Sequence, residues 1–303
     1  MPKEHTHWHL ARRVADGLEP GPLADAVVAY DEFLLAGAVS HDSAYYSLGD
    51  EFAKKTADRL HGTEGQDSFA PFRALAAHRD ELGAQGFAFG LGALTHLAAD
   101  ATFHPLVFSW TGDPEAPDPG LRTGWLYRHQ ACETALDLHL DALWGAPPVR
   151  TFARLIREGR GDLVRVHSAF SGTDSRAWLR AHGRLQSLFP NPLAGGLALA
   201  LGWPHRRGDG DWSAGFYLHS PRKHPAFEGP MEWIDPVSGS PGKATLDQLI
   251  DKFETLASGL AAAWEKAWVA GTVPFPGRVG PALDTGLPCD RPQGKRFFTA
   301  KWF

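Results

Sequence analysis

Thr95-His96-Leu97-Ala98-Ala99-Asp100-Ala101-Thr102-Phe103-His104-Pro105 places three metal-ligand side chains four residues apart. Four residues advance an α-helix by about 6 Å and roughly one turn, so His96, Asp100 and His104 share a face. Phe87, Phe89, Leu91, Leu94 and Leu97 lead into that face and mark the helix as buried. Two imidazoles and a carboxylate are costly to bury unless something satisfies them, and a divalent ion does so. Imidazole with carboxylate suits zinc. The plainer alternatives are a solvent-facing stripe or a set of hydrogen-bonded core histidines.

Working outward, apolar residues recur at three- and four-residue steps through most of the first 145 positions. The pattern predicts helices at about 7–17, 23–38, 49–61, 71–82, 85–104 and 128–144. The Pro/Gly/Asp-rich run from Thr111 to Gly120 cannot continue a helix and reads as a surface loop. Further helices are expected at about 149–158 and 177–188, then little regular structure from 202 to 242. Thr245 with Gln248 forms a capping box that opens a last helix, ending near 269. The expected fold class is an all-α helical bundle with a loop-rich C-terminal part. It is read as a single domain over 1–271, with its metal-ligand core at about 5–145. A Pro/Gly-rich tail, 272–303, lies packed on that domain or partly loose.

Composition narrows the chemistry. The chain has 303 residues, 43% of them hydrophobic, enough for a substantial core. Thirty basic residues against 35 acidic give a net charge of -5, so extended nucleic acid is not an expected partner. Two cysteines, Cys132 and Cys289, exclude a disulfide framework and a Cys-rich zinc module. Histidine is in excess: ten of the 15 fall within the first 141 residues. No apolar stretch reaches bilayer length, so no transmembrane segment is expected. The opening Met1-Pro-Lys-Glu-His lacks the pattern of a signal peptide, which points to a cytoplasmic protein.

A second ligand-type face occurs in His129-Gln-Ala-Cys-Glu133-Thr-Ala-Leu-Asp137, where His129 and Glu133 lie one turn apart. A solvated acidic face is the alternative for Glu133 and Asp137, and Cys132 reads as a small core residue. His5-Thr-His7-Trp8-His9 concentrates three imidazoles at the start, where exposed surface is as good a reading for His5 and His9 as ligation. His41-Asp42 ends an apolar helix, and His61 before Gly62 reads on its own as a helix C-terminal histidine. His167, His182, His205, His219 and His224 read as surface or supporting residues.

Taken in order, these pieces resemble the zinc-dependent phospholipase C family. The matching residues are Thr6-His7-Trp8, Ala36-Gly-Ala-Val-Ser-His-Asp42, His61-Gly62, His96-x3-Asp100-x3-His104-Pro105 and His129-x3-Glu133. The Asp-x3-His-Pro form is similar to the family's bacterial, intracellular-type branch. More weakly, Trp233-Ile-Asp-Pro-Val-Ser-Gly and the helix after Thr245 resemble the family's C-terminal part. The resemblance implies one zinc held by Asp42, His61, His96 and Asp100, and a second held by His104, His129 and Glu133. Asp100 then reaches towards a third ion that also uses His7. In secreted relatives a processed N-terminal tryptophan completes that third site. This chain departs there, leaving His5 or His9 as replacements or the site empty.

The implied activity is hydrolysis of a phosphate ester, in the first place a phosphodiester, by a metal-activated water, with Asp42 and Asp100 as catalytic residues. The expected substrate is a small-molecule or lipid phosphate ester. The family's fold also resembles that of fungal single-strand-specific zinc nucleases, which keeps a nuclease or nucleotidase in view. Trp8, Trp110, Trp125 and Trp144 read chiefly as core, with an apolar wall for acyl chains as the functional alternative. One rival is an HD-type phosphohydrolase built on His7, His41, Asp42 and Asp100. Another is a non-catalytic accessory protein with a closed zinc site.

Overall fold

The computed structural model describes residues 4–114, 116–149, 151–202, 217 and 221–299. Among the described residues the architecture is all-α apart from one antiparallel two-stranded ribbon. At its centre runs α6 (Arg79–Thr111), 33 residues long and buried along almost its whole length after Gly86. Around it pack α1 (Glu4–Asp16), α2 (Pro22–Ala29), α3 (Asp31–Gly37), α5 (Ala70–Ala77), α8 (Trp125–Trp144), α9 (Phe152–Ser171) and α12 (Leu246–Ala270). α4 (Glu51–His61) and α10 (Arg176–Gln186) each pack on a 3-10 turn (His41–Tyr46), and α10 also packs on α9. The short α7 (Pro119–Arg122) interrupts the loop between α6 and α8, and α11 (Pro192–Gly202) follows α10.

The contact that positions the site is α3 against α6. A Cβ at Gly37 would lie 2.2 Å from the Phe89 carbonyl oxygen, and one at Gly92 only 1.9 Å from that of Leu34. Glycine at these two positions lets the helices touch backbone to backbone. The chain leaving α3 is thereby held beside His96, and Asp42 follows directly.

Several boundaries differ from the sequence reading. The helix expected over 23–38 divides at Tyr30 (φ −136°, ψ 51°), because α2 packs on α6 and α12 whereas α3 turns to meet α6 and α9. The 71–82 helix ends at Ala77, and its last residues join α6 across a break at Gly83 (φ 53°). The helix expected to stop at His104 continues through Pro105 to Thr111. Proline there removes one N–H bond to the Ala101 carbonyl but does not end a helix buried on every side. The helix expected at 149–158 runs from Phe152 to Ser171, across a break at Arg160 (φ 48°). In the 202–242 stretch, read as irregular, β1 (Met231–Ile234) pairs with β2 (Pro241–Ala244), Met231 opposite Ala244. Residues 203–216 and 218–220, with His205 and His219, lie outside the described residues. The capping box is present: Thr245 accepts from the Gln248 N–H, and α12 runs to Ala270.

The segment after α12 is coil with a buried portion. Phe275, Ala282, Leu283 and Cys289 are each at most 2% exposed. The Leu283 N–H donates to the His61 carbonyl (2.9 Å), so this segment touches the end of α4.

Candidate metal centre

Five elements bring the eight expected ligands to one place. His7 comes from α1, Asp42 from the 3-10 turn and His61 from the last position of α4. His96, Asp100 and His104 come from α6, and His129 and Glu133 from α8. All eight are buried. Their ligand atoms form three groups, each within 4.8 Å: His7 with His96 and Asp100; Asp42 with His61 and His96; His104 with His129 and Glu133. Asp100 lies at the junction. Its Oδ1 is 3.4 Å from His7 Nε2 and 3.7 Å from His104 Nε2, and its Oδ2 is 3.1 Å from His96 Nε2 and 3.9 Å from His61 Nε2.

Local structure aims these rings. His61 Nδ1 donates to the Ala57 carbonyl (2.8 Å), and His96 Nδ1 to that of Ala38 (2.9 Å). A carbonyl only accepts, so each Nδ1 carries a proton and each ring turns its Nε2 to the centre. Gly62, left-handed at φ 68°, ends α4 immediately after His61. His96 is stacked between His7 (4.1 Å) and His41 (4.6 Å).

A divalent ion fits this set. His7 Nδ1 and Nε2, His96 Nε2, His104 Nε2 and Asp100 Oδ2 are buried without a hydrogen bond to any described residue. Each such atom costs about 1–3 kcal/mol if nothing satisfies it. Five imidazoles with three carboxylates and no thiolate suit zinc, and the three groups are compatible with two or three ions. A cavity of about 20 Å³, with His7, Asp100, His104 and Glu133 among its lining residues, has room for one water-sized species.

The electrostatics carry the same imprint. Burial alone raises carboxyl groups and depresses imidazoles. At Asp100 that cost is outweighed by His104 and His96, which hold the carboxyl well below its ordinary range. Glu133 is likewise lowered against burial, chiefly by His129. Burial disfavours the His61 cation, yet the hydrogen bond and charge of Asp42 push it up to about 9. His61 Nε2 lies 3.1 Å from Asp42 Oδ1 and 3.9 Å from Asp100 Oδ2, and both carboxylates favour a positive charge there. Among the described residues, no carboxylate is hydrogen-bonded to His41 or His167. Burial pushes His41 well below its usual value, aided by His96 and His61, and takes His167 down to about 4.

Residues 6–171, more than half of the chain, match the family model described as Zinc dependent phospholipase C. The chain belongs to this family. No curated protein and no solved structure gives a match. All eight residues carried over from the zinc-dependent phospholipase C pattern fall inside the matched span, which extends through α9.

The structure also corrects the sequence reading around this centre. His5 and His9 are buried, not surface residues, and belong to none of the three groups. Each bonds one oxygen of Asp141, through His5 Nδ1 and His9 Nε2, both at 2.9 Å. Asp137 and Glu133 are buried, not a solvated acidic face. Asp137 accepts from the Thr6 backbone and from the Tyr217 hydroxyl (2.6 Å), fixing α1 against α8 next to His7. His167 and His182 are buried, not surface: His167 Nε2 donates to the Ser40 carbonyl, and His182 Nδ1 bonds the Ser43 hydroxyl. Both brace the 3-10 turn that carries Asp42. His41 lies outside all three groups, in contrast to the HD-type pattern. Trp8 and Trp110 are core, while Trp125 and Trp144 are partly buried. One residue near the centre was not singled out in the sequence. Asp284, in the coil after α12, has Oδ1 3.8 Å from His104 Nδ1.

Proposed function

We propose that this metal-dependent hydrolase cleaves a phosphate ester, in the first place a phosphodiester of a small molecule or lipid. The observation that carries the reading is the convergence of three buried ligand groups on Asp100 beside a water-sized cavity. The group of His104, His129 and Glu133 offers three protein ligands and shares none with the other two; catalytic zinc keeps a position open, whereas structural zinc is closed by four. This favours an enzyme over an accessory zinc protein. Bound zinc supplies Lewis acidity towards a phosphoryl oxygen and makes hydroxide available near neutral pH.

The chain's own residues hold and orient. Asp42, hydrogen-bonded to His61 Nε2 at 3.1 Å, orients or deprotonates the attacking water. Its carboxyl is held below its usual range, against burial, by His96 and His61, which favours orientation over proton uptake. Asp100 fixes the spacing between the groups. Beside His129 lie Phe108 and the partly buried Trp125, ring centroids at 4.9 and 5.9 Å, an apolar wall for the leaving group. The net charge of -5 disfavours a long nucleic acid. Among the described residues no helix is long and apolar enough to cross a membrane.

His96→Ala and Asp100→Ala are expected to lose bound zinc, measured by elemental analysis. Hydrolysis of bis(p-nitrophenyl) phosphate should fall by more than the about 100-fold typical of losing an outer partner of a metal ligand. Full activity in metal-free Asp100→Ala protein would refute the reading. Release of diacylglycerol from phosphatidylcholine, assayed beside release of nucleotides from single-stranded DNA, separates lipid from nucleic-acid substrates.

A further inference from the structure

The coil after α12 reaches the centre by a defined route. Within it, Pro281 pairs with Pro288, and the Thr285 N–H donates to the Ala282 carbonyl (3.3 Å), so residues 281–288 fold back as a tight turn. The turn is pinned on one side by the Leu283 N–H bond to the His61 carbonyl. On the other side sits Gly286, left-handed at φ 69°, where a Cβ would lie 2.3 Å from the Ala101 oxygen. Ala101 is the residue whose carbonyl Pro105 leaves without its helical N–H. The turn tip therefore sits against α6 just before His104, and Asp284 lies at that tip.

His104 has its two nitrogens in different surroundings. Nε2 faces Glu133 Oε1 at 3.6 Å and Asp100 Oδ1 at 3.7 Å, towards the metal groups. Nδ1 faces Asp284 Oδ1 at 3.8 Å and makes no hydrogen bond to any described residue. His61 and His96 each have a backbone carbonyl at Nδ1; for His104 the acceptor on that side is a carboxylate. Asp284 is itself held in place. Its Oδ2 accepts from Lys295 Nζ (2.9 Å), which also lies 3.1 Å from Asp113 Oδ2 and 4.2 Å from the centre of the Phe108 ring.

We propose that Asp284 is a positioning residue for His104. It accepts the Nδ1 proton, fixes the tautomer that leaves Nε2 free for the ion, and makes the imidazole a stronger ligand. A shift of under about 1 Å from the present separation completes the hydrogen bond. The C-terminal segment, outside the span that matches the family model, is thus part of the centre. This inference rests on the metal-binding reading of the cluster.

The test uses the full chain as Asp284→Ala, Asp284→Asn and His104→Ala, with zinc affinity measured by chelator competition and cobalt(II) absorption as the spectroscopic readout. Asp284→Ala is expected to weaken one zinc equivalent by about 10- to 100-fold and to alter the cobalt spectrum, leaving the remaining metal in place. Asp284→Asn should recover most of the loss, because its amide oxygen accepts the same bond. Wild-type affinity and an unchanged spectrum in Asp284→Ala overturn the proposal, even if its melting temperature drops. Asp284→Asn as impaired as Asp284→Ala overturns it as well, since that is how a direct ligand behaves. His104→Ala separates the two levels: if it loses the same zinc equivalent, the cluster reading stands whatever Asp284 does. If His104→Ala keeps all its zinc, the cluster reading itself fails.

Discussion

At the level of single residues, the centre exchanges protons for metal. In the metal-free chain His61 remains protonated up to about pH 9, paired with Asp42. Because the folded value lies above the unfolded 6.5, this pair contributes stability fully below pH 6.5 and loses it as pH rises through about 9. Zinc competes for the same lone pair, so loading near neutral pH expels that proton. Apparent affinity then climbs by about tenfold per pH unit for each proton displaced, levelling off near pH 9. Calorimetric titration in buffers of different ionisation enthalpy is expected to show at least one proton released. No release, with zinc nevertheless bound, would remove His61 from the ligand set.

Among the elements, the α3–α6 contact decides whether the ligands converge. Gly92→Ala drives a methyl group into the Leu34 carbonyl, and backbone cannot swing aside as a side chain does. The expected cost is roughly 1–3 kcal/mol in urea unfolding, towards the upper end. Because α3 leads into the turn bearing Asp42, zinc affinity should fall in the same variant. Gly259→Ala in α12 is the control: nothing lies within 4 Å of its added Cβ, and helix propensity predicts a gain of about 0.5–1 kcal/mol. A Gly92→Ala chain as stable as the parent would mean that the two helices adjust freely and that their contact does not set the site.

In the whole molecule, the ligands cross-link α1, the 3-10 turn, α4, α6 and α8. Metal removal leaves eight ionisable groups buried together, so chelation should destabilise the entire assembly and not one loop. With zinc at a hundredfold its Kd, each site adds about 2.7 kcal/mol, worth roughly 5 °C in the unfolding midpoint of a chain this size. Scanning calorimetry with and without chelator should show that drop, reversed by added zinc. An unchanged midpoint would separate the centre from the stability of the fold.

The sequence by itself determined the features that the helix repeat enforces. The four-residue steps of His96, Asp100 and His104, and of His129 and Glu133, put each set on one face whatever the helices pack against. The capping box at Thr245 and the helix end after His61 are equally local, and both are present. Only the tertiary structure decided which faces meet. His7 joins His96 and Asp100, and Asp42 joins His61, across separations that no local spacing encodes. It also buried His5 and His9 against Asp141, which their crowding at the start of the chain did not foretell. Asp284 was illegible for the same reason: a lone carboxylate in a Pro/Gly-rich coil carries no periodic signal. Its place beside His104 follows from a turn that Gly286 lets press against α6, a matter of shape and packing rather than of sequence interval.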